Sequence, residues 1–372
     1  MTLLAQETGA LNLAQGFPDY DPPQELLEAL ARHARTPGHH QYAPMPGLPR
    51  LREAIATHLG RQHAGAPAPD PATEVTITAG ATEALYAVLA AVVRPGDEVL
   101  VFEPAFDVYG PAVRLQGGVP RYVRLPAPHF RPDWDAVRRR LSPRTRLVIV
   151  NTPHNPSGAV FTADDWQELA HLLADTKAFV LSDEVYEHLV FDGAPRLSAR
   201  QHPDLRERSF VVSSFGKTYH ATGWKVGYCV APPALTAEVR RVHQFVTFSV
   251  STPTQHALAD VLAADATDAH ARGLAAFYQE KRDAFRSLLA DSGWELLPVP
   301  GGYFQLARYD AFSATSDLAF AQQLARQHGV AVVPVSAFYH DGFDEGLIRF
   351  CFAKEAATLE MAAARLRLLV AQ

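Results

Sequence analysis

Between Glu74 and about Val230, short β-branched runs alternate with helical stretches, and this alternation limits the fold more than any other feature of the chain. The runs lie near residues 75–78, 98–102, 119–123, 146–150, 178–182, 209–213 and 225–230. Parallel strands need a long crossover between them, usually a helix, so the pattern implies an α/β chain with a seven-stranded, mainly parallel sheet. Ligands of such sheets bind beyond the carboxyl ends of the strands, which makes those ends the place to look for chemistry.

Several of the ends carry polar groups. Residues 74–78 lead through Ala79-Gly80-Ala81-Thr82 into an apolar helical run from Glu83 to Val93. The backbone amides of that helix start, with the Thr82 hydroxyl, suit a phosphate-sized anion. The 146–150 strand ends in Asn151-Thr152-Pro153-His154-Asn155-Pro156-Ser157-Gly158. Two X-Pro steps and a closing glycine make a rigid turn, which aims the Asn155 amide from a fixed backbone. The 178–182 strand ends in Asp183-Glu184-Val185-Tyr186-Glu187. A carboxylate such as Asp183 favours the protonated form of a ring nitrogen beside it, whereas Glu184 and Glu187 are expected to face solvent or pair locally. The 209–213 strand runs into Ser214-Phe215-Gly216-Lys217, with Lys225 eight positions further on. Burial among apolar, glycine and hydroxyl residues disfavours the ammonium, and a second cation pushes the same way, so Lys217 reads as an amine free to attack an aldehyde. Near the C-terminus, the apolar run Leu347 to Phe352 holds one embedded arginine, Arg349. Its planar fork fits a carboxylate, with a structural salt bridge as the competing reading.

The segment Ser213 to Tyr228 resembles the cofactor-lysine segment of class I pyridoxal-phosphate aminotransferases, in the branch with kynurenine, glutamine and methionine aminotransferases. The resemblance extends from Asn12 to the Arg349 region. It implies a fold type I enzyme with pyridoxal 5′-phosphate on Lys217, and Lys217, Asp183 and Tyr186 as the catalytic residues. Asp183 would face the pyridine nitrogen, Asn155 and Tyr186 would donate to the phenolic oxygen, and Phe106 would stack on the ring. Gly80, Ala81, Thr82, Ser214 and Lys225 would surround the phosphate, Lys225 standing where many relatives carry arginine. Arg349 would hold the substrate α-carboxylate, next to Asn155. Gly16 and Phe17, in Asn12 to Tyr20, would line the substrate mouth. Tyr42 matches a tyrosine that relatives lend to the neighbouring subunit, which implies a homodimer.

The implied reaction is transamination of a neutral, large or hydrophobic L-amino acid with a 2-oxo acid. Methionine, glutamine, aromatic residues and kynurenine are the expected donors, because Phe17, Tyr42 and Phe338 favour a large neutral side chain. Relatives specific for dicarboxylic amino acids present an arginine from the segment ahead of a Ser-x-Pro turn; here that segment, Phe245 to Pro253, has no cation. A carbon–sulfur β-lyase on the same fold shares the lysine, aspartate and arginine and is the alternative. A non-catalytic cofactor-sensing regulator is disfavoured, because the matching motifs begin by Asn12 and leave no room for a helix-turn-helix module.

Long helices from Pro253 to about Leu289, followed by mixed elements, imply a second, smaller domain. The expected division is a large cofactor-binding domain at 36–285, with 1–35 and 286–372 forming the small one. The formal charge is −6, and the densest basic run, Arg138-Arg139-Arg140, is too short for a nucleic-acid patch. No stretch reaches membrane-spanning length without charge, and the N-terminus lacks a basic segment before an apolar one, so a cytoplasmic protein is expected. Cys229 and Cys351 lie in apolar runs and read as buried thiols. His39 and His40 have no partner at ligand spacing, so no metal site is expected.

Overall fold

A computed structural model of the chain describes residues 1–63 and 65–369. Strand β1 (Leu11–Asn12) is followed by β2 (Val75–Thr78), β3 (Glu98–Glu103), β4 (Val119–Arg124), β5 (Thr145–Asn151), β6 (Phe179–Asp183), β7 (Ser209–Ser214) and β8 (Gly227–Val230). Strands β2 to β8 form one sheet in the order β2-β8-β7-β6-β5-β3-β4. Every neighbouring pair is parallel except those of β8, which is antiparallel to both β2 and β7. The fold is thus the α/β arrangement implied by the alternation. The last run begins later than expected, at Gly227, because Lys225 adopts a left-handed conformation with φ 53°.

Helices cover both faces of this sheet, which is why its central strands read as continuous apolar runs. On one face Val101, Ile149, Leu181, Phe210 and Val212 pack with Leu85, Val88 and Leu89 of helix Gly80–Val92. On the other, Leu100, Val148, Val150 and Val211 meet Trp166, Leu169 and Leu173 of helix Ala163–Leu173. That second helix starts at a capping box: Asp165 N donates to Thr162 Oγ1 at 3.2 Å, and Thr162 N donates to the Asp165 carboxylate at 2.8 Å. Each such buried Val, Leu or Phe side chain contributes roughly 1.5–3 kcal/mol. Together they fix the strands whose ends carry the polar motifs.

The remaining strands are β9 (Glu295–Leu296), β10 (Phe304–Arg308), β11 (Val330–Ala331), β12 (Val333–Pro334) and β13 (Leu347–Cys351). A second, antiparallel sheet runs β12-β13-β10-β9. Phe285, Phe304, Phe320 and Phe350 pack in its core. Strand β1 pairs in parallel with β11, and Cys351 N donates to Leu13 O at 2.8 Å. The N-terminal segment is therefore pinned beside β13 and its arginine.

Helices Thr252–Ala264 and Ala269–Leu288 fill the expected helical region. The arginine triplet at 138–140 ends helix Trp134–Arg140 and is exposed, and both cysteines are buried and free. No helix among the described residues is long and apolar enough to cross a membrane.

Candidate active site

The carboxyl ends of β2, β5, β6 and β7 open into a cavity of about 440 Å³, closed on the far side by β13 and the N-terminal segment. That volume falls in the range of small-molecule sites. One end is built for an anion. Helix Gly80–Val92 starts directly after β2, and Ala81 and Thr82 line the cavity with Ser214 and Lys225. Gly80 sits just behind, at φ 76°, where a Cβ would come within 3.2 Å of Lys225 Nζ. Gly227 is equally constrained, since its Cβ would lie 3.0 Å from Ala81 N. These two glycines let the start of β8 lie flat against the helix terminus, bringing its amides, two hydroxyls and an ammonium to one point.

Lys217 lies in the short helical turn Phe215–Thr218 that follows β7. Its Nζ donates to Gly16 O at 3.2 Å and stands 5.7 Å from the ring centres of both Tyr186 and Tyr303. Burial lowers its pKa to about 8, opposed by Cys351 and Asp183 and helped by Arg349 and Lys225. Asp183, the last residue of β6, accepts from Tyr109 Oη at 2.6 Å. Burial raises its pKa to about 6, against the hydrogen bond from Tyr109 and the charge of Lys217. A buried carboxylate with so little compensation gains from a cation placed opposite it. Tyr186 is buried, edge-on to Tyr303 at 5.0 Å, and burial raises the pKa of its hydroxyl well above the ordinary tyrosine value.

On the far side, Arg349 projects from the middle of β13. It donates to Asn155 Oδ1 at 2.5 Å and to Ala14 O at 3.0 Å, and its guanidinium lies 4.0 Å over the Phe304 ring. Among the described residues its buried Nε has no partner and no carboxylate pairs with it. Burial lowers its pKa, as expected of a cation without a counter-charge. With its oxygen taken by Arg349, Asn155 keeps its amide N–H for another acceptor. Phe106 and Phe338 complete the walls. The donor set fits a phosphorylated aromatic aldehyde with a basic ring nitrogen, joined by an incoming carboxylate.

The model of the family "Aminotransferase class I and II" matches residues 8–366. The chain belongs to that family. This aminotransferase is 52% identical to the methionine aminotransferase of Escherichia coli strain K12, over 99% of its own length and 94% of that protein. The solved structure of an Escherichia coli protein described as having a methionine aminotransferase function superposes with a TM-score of 0.96, covering 99% of this chain and 96% of the other at 52% identity. It is also 39% identical to a probable N-succinyldiaminopimelate aminotransferase of Mycobacterium tuberculosis, over 99% of this chain and 94% of that one. A kynurenine–oxoglutarate transaminase of Dictyostelium discoideum is 32% identical, over 96% and 90% of the two chains. The aminotransferase works with pyridoxal phosphate and exchanges an amino group between an amino acid and a 2-oxo acid.

Of the residues singled out from sequence, Gly16, Ala81, Thr82, Phe106, Asn155, Asp183, Tyr186, Ser214, Lys217, Lys225, Phe338 and Arg349 line one cavity. Phe17 does not line it; it is 38% exposed at the edge, with Lys354 Nζ 4.9 Å over its ring. Tyr42 is also outside, 82% exposed and edge-on to Phe248. Glu184 and Glu187 correct the surface expectation. Glu184 is 1% exposed, accepts from Ser182 Oγ at 2.6 Å and Ala199 N at 3.0 Å, and burial pushes its pKa up to about 7. Glu187 accepts from Ser213 Oγ at 2.6 Å and Tyr228 Oη at 3.1 Å. Their donors come mostly from segments distant in sequence, so nothing local announces the burial.

Among the side chains missed are Phe304, beneath the Arg349 guanidinium, Tyr303 and Tyr109. Tyr303 donates to Gly16 O at 2.6 Å and flanks Lys217. Tyr109 anchors Asp183 and meets Phe106 edge-on at 5.7 Å. The local signal for Tyr109 was its place three residues after Phe106, where its N–H closes a turn onto Phe106 O at 3.1 Å.

Proposed function

We propose that this aminotransferase takes a large neutral L-amino acid as donor, methionine foremost, with glutamine, phenylalanine, tyrosine and kynurenine behind it. The observation that carries this reading is the cavity wall. Its cationic side chains are Lys217, Lys225 and Arg349, and the remaining space is bordered by Phe106, Phe304, Phe338, Leu85 and Val333. The three cations are committed to the cofactor carbonyl, the phosphate and the substrate α-carboxylate, so an acidic side chain would be buried without a partner at a cost of several kcal/mol. The identity with the methionine aminotransferase of Escherichia coli supports the same choice.

Within this reading the bound cofactor supplies an electrophilic carbon and an electron sink for the charge left at the substrate α-carbon. Arg349 grips the α-carboxylate with its two-pronged donor face and so sets which α-carbon bond is oriented for cleavage. Lys217, its amine largely neutral just above pH 8, accepts the α-proton at Nζ and returns it. Asp183, held by Tyr109, would keep a proton on the ring nitrogen. Asn155 and Tyr186 would hold the phenolic oxygen, Phe106 the ring, and Ala81, Thr82, Ser214 and Lys225 the phosphate behind the Gly80 turn.

The test is kcat/KM across single amino acids with a fixed 2-oxo acid. Methionine and the other neutral donors are expected to exceed aspartate and glutamate by roughly 10²-fold or more, the factor that several kcal/mol of unpaired charge implies. Aspartate or glutamate ranking above every neutral donor sinks the proposal.

The active unit in this reading is a homodimer in which Tyr42 serves the neighbouring site. Its support is that Tyr42 is exposed and outside its own cavity, edge-on to exposed Phe248. Mixing Lys217→Ala and Tyr42→Phe chains is then expected to restore activity, since each hybrid holds one intact site and one doubly damaged one. If Tyr42 acts within its own chain, each hybrid site carries one defect and mixing rescues nothing. We also assign 36–285 to a large domain, with 1–35 and 286–372 as the small one. All seven strands of the large sheet fall within the first range, and β1 and β9 to β13 fall outside it. Two buried, unpaired cysteines fit a reducing compartment, and we place the enzyme in the cytoplasm.

A further inference from the structure

Away from the active site, three histidines that are separated in sequence converge. His33 is the last residue of helix Gln24–His33, His39 follows six residues later, and His256 lies on helix Thr252–Ala264, four residues before Asp260 and so on the same face. One nitrogen from each ring lies within 4.8 Å of the other two. The closest pair, His33 Nδ1 and His39 Nδ1, is 3.1 Å apart. Two nitrogens bound tetrahedrally to one zinc ion at 2.0–2.1 Å sit about 3.3 Å from each other, so this pair already has nearly the spacing of two ligands.

The neighbouring carboxylate fixes the chemistry of the first ligand. Asp260 Oδ2 is 2.8 Å from His33 Nε2 and 2.5 Å from Arg32, and its Oδ1 is 2.5 Å from Arg50. Gripped by two guanidinium groups, Asp260 stands as an acceptor toward His33. With Nε2 donating to Asp260, Nδ1 is the His33 nitrogen that faces His39. A carboxylate fixing the far nitrogen of a histidine is the usual support of a metal-binding imidazole. The two arginines outweigh the single Asp260 charge, so the ion would be held by the imidazole nitrogens and not by net negative charge. His256 stacks on His39, with ring centres 3.8 Å apart and planes 9° apart, and needs a turn of its partly exposed ring to direct a nitrogen at the same point.

We propose that His33, His39 and His256 bind one divalent transition-metal ion of the zinc class, with water in the fourth position and Asp260 orienting His33. Three imidazoles favour such an ion over calcium or magnesium, which take oxygen ligands. His39 gains its two imidazole neighbours from packing against helix Thr252–Ala264 and the end of helix Gln24–His33, which local spacing does not announce.

The experiment titrates chelator-stripped, cofactor-loaded enzyme with Zn²⁺ against a chromophoric chelator. One saturable ion per chain is expected, with affinity falling by at least about 10-fold in His39→Gln and in His256→Gln. Asp260→Asn, which keeps all three ligands, is expected to weaken binding by about 10–100-fold. His39 and His256 are both partly exposed, so their replacement spares the core, and circular dichroism of each variant confirms the fold. Replacing exposed His129 with glutamine should change nothing. Absence of a stoichiometric site, or affinity unchanged in both His39→Gln and His256→Gln, overturns the proposal. The second result places any bound zinc elsewhere, the cofactor included.

Discussion

Borohydride reduction of the cofactor-loaded enzyme is expected to fix the cofactor on Lys217, and peptide mass mapping reads the outcome directly. An adduct on Lys225 or Lys177 would show that the reactive amine has been misassigned. Lys217→Ala should give no covalent product and lower kcat by roughly 10²–10⁴-fold, the usual worth of a positioned acid–base group, with loss of the covalent anchor adding to it. The lowered pKa has its own signature. Lys217 is charged below about pH 8 and neutral above it, so capture of the cofactor aldehyde by cofactor-free enzyme should quicken as pH rises toward 8 and then level off. An ordinary lysine would still be gaining reactivity two pH units higher.

The second large effect is expected at Asp183. Asp183→Ala keeps Lys217 and the anion pocket, so the protein should remain yellow, yet turnover should drop by roughly 10²–10³-fold, as when a single preorganised electrostatic contact is removed. The ring nitrogen would no longer be held protonated, and the Tyr109 hydroxyl would lose its acceptor. A variant with near-normal kcat removes Asp183 from this role.

Much of the site was legible because the large sheet does two jobs at once. Its interior must be apolar on both faces, so Thr82, Asn155, Asp183 and Lys217 stand out where the apolar runs stop. Arg349 was legible for the opposite reason, as a charge inside an apolar run. What escaped were groups whose meaning depends on a distant partner. The hydroxyl of Tyr303 is significant only because the N-terminal segment folds back beneath it. Glu184 looks like any charge at a strand end until Ala199 N arrives beside it. The three histidines near Asp260 were invisible for the same reason: two helices must pack before they share a neighbourhood.

The N-terminal segment beside the cavity is held by its backbone. Arg349 donates to Ala14 O, Lys217 and Tyr303 to Gly16 O, and Lys354 to Phe17 O. All four bonds end on carbonyl oxygens, which every residue type supplies, so exchanging the Phe17 side chain leaves each of them intact. Gly16 has no such freedom, since a Cβ there would come within 2.7 Å of the Phe304 ring. Adjacent positions therefore face opposite evolutionary pressures. Position 16 is locked by geometry, while the side chain at position 17 can change without loosening the frame that holds the segment.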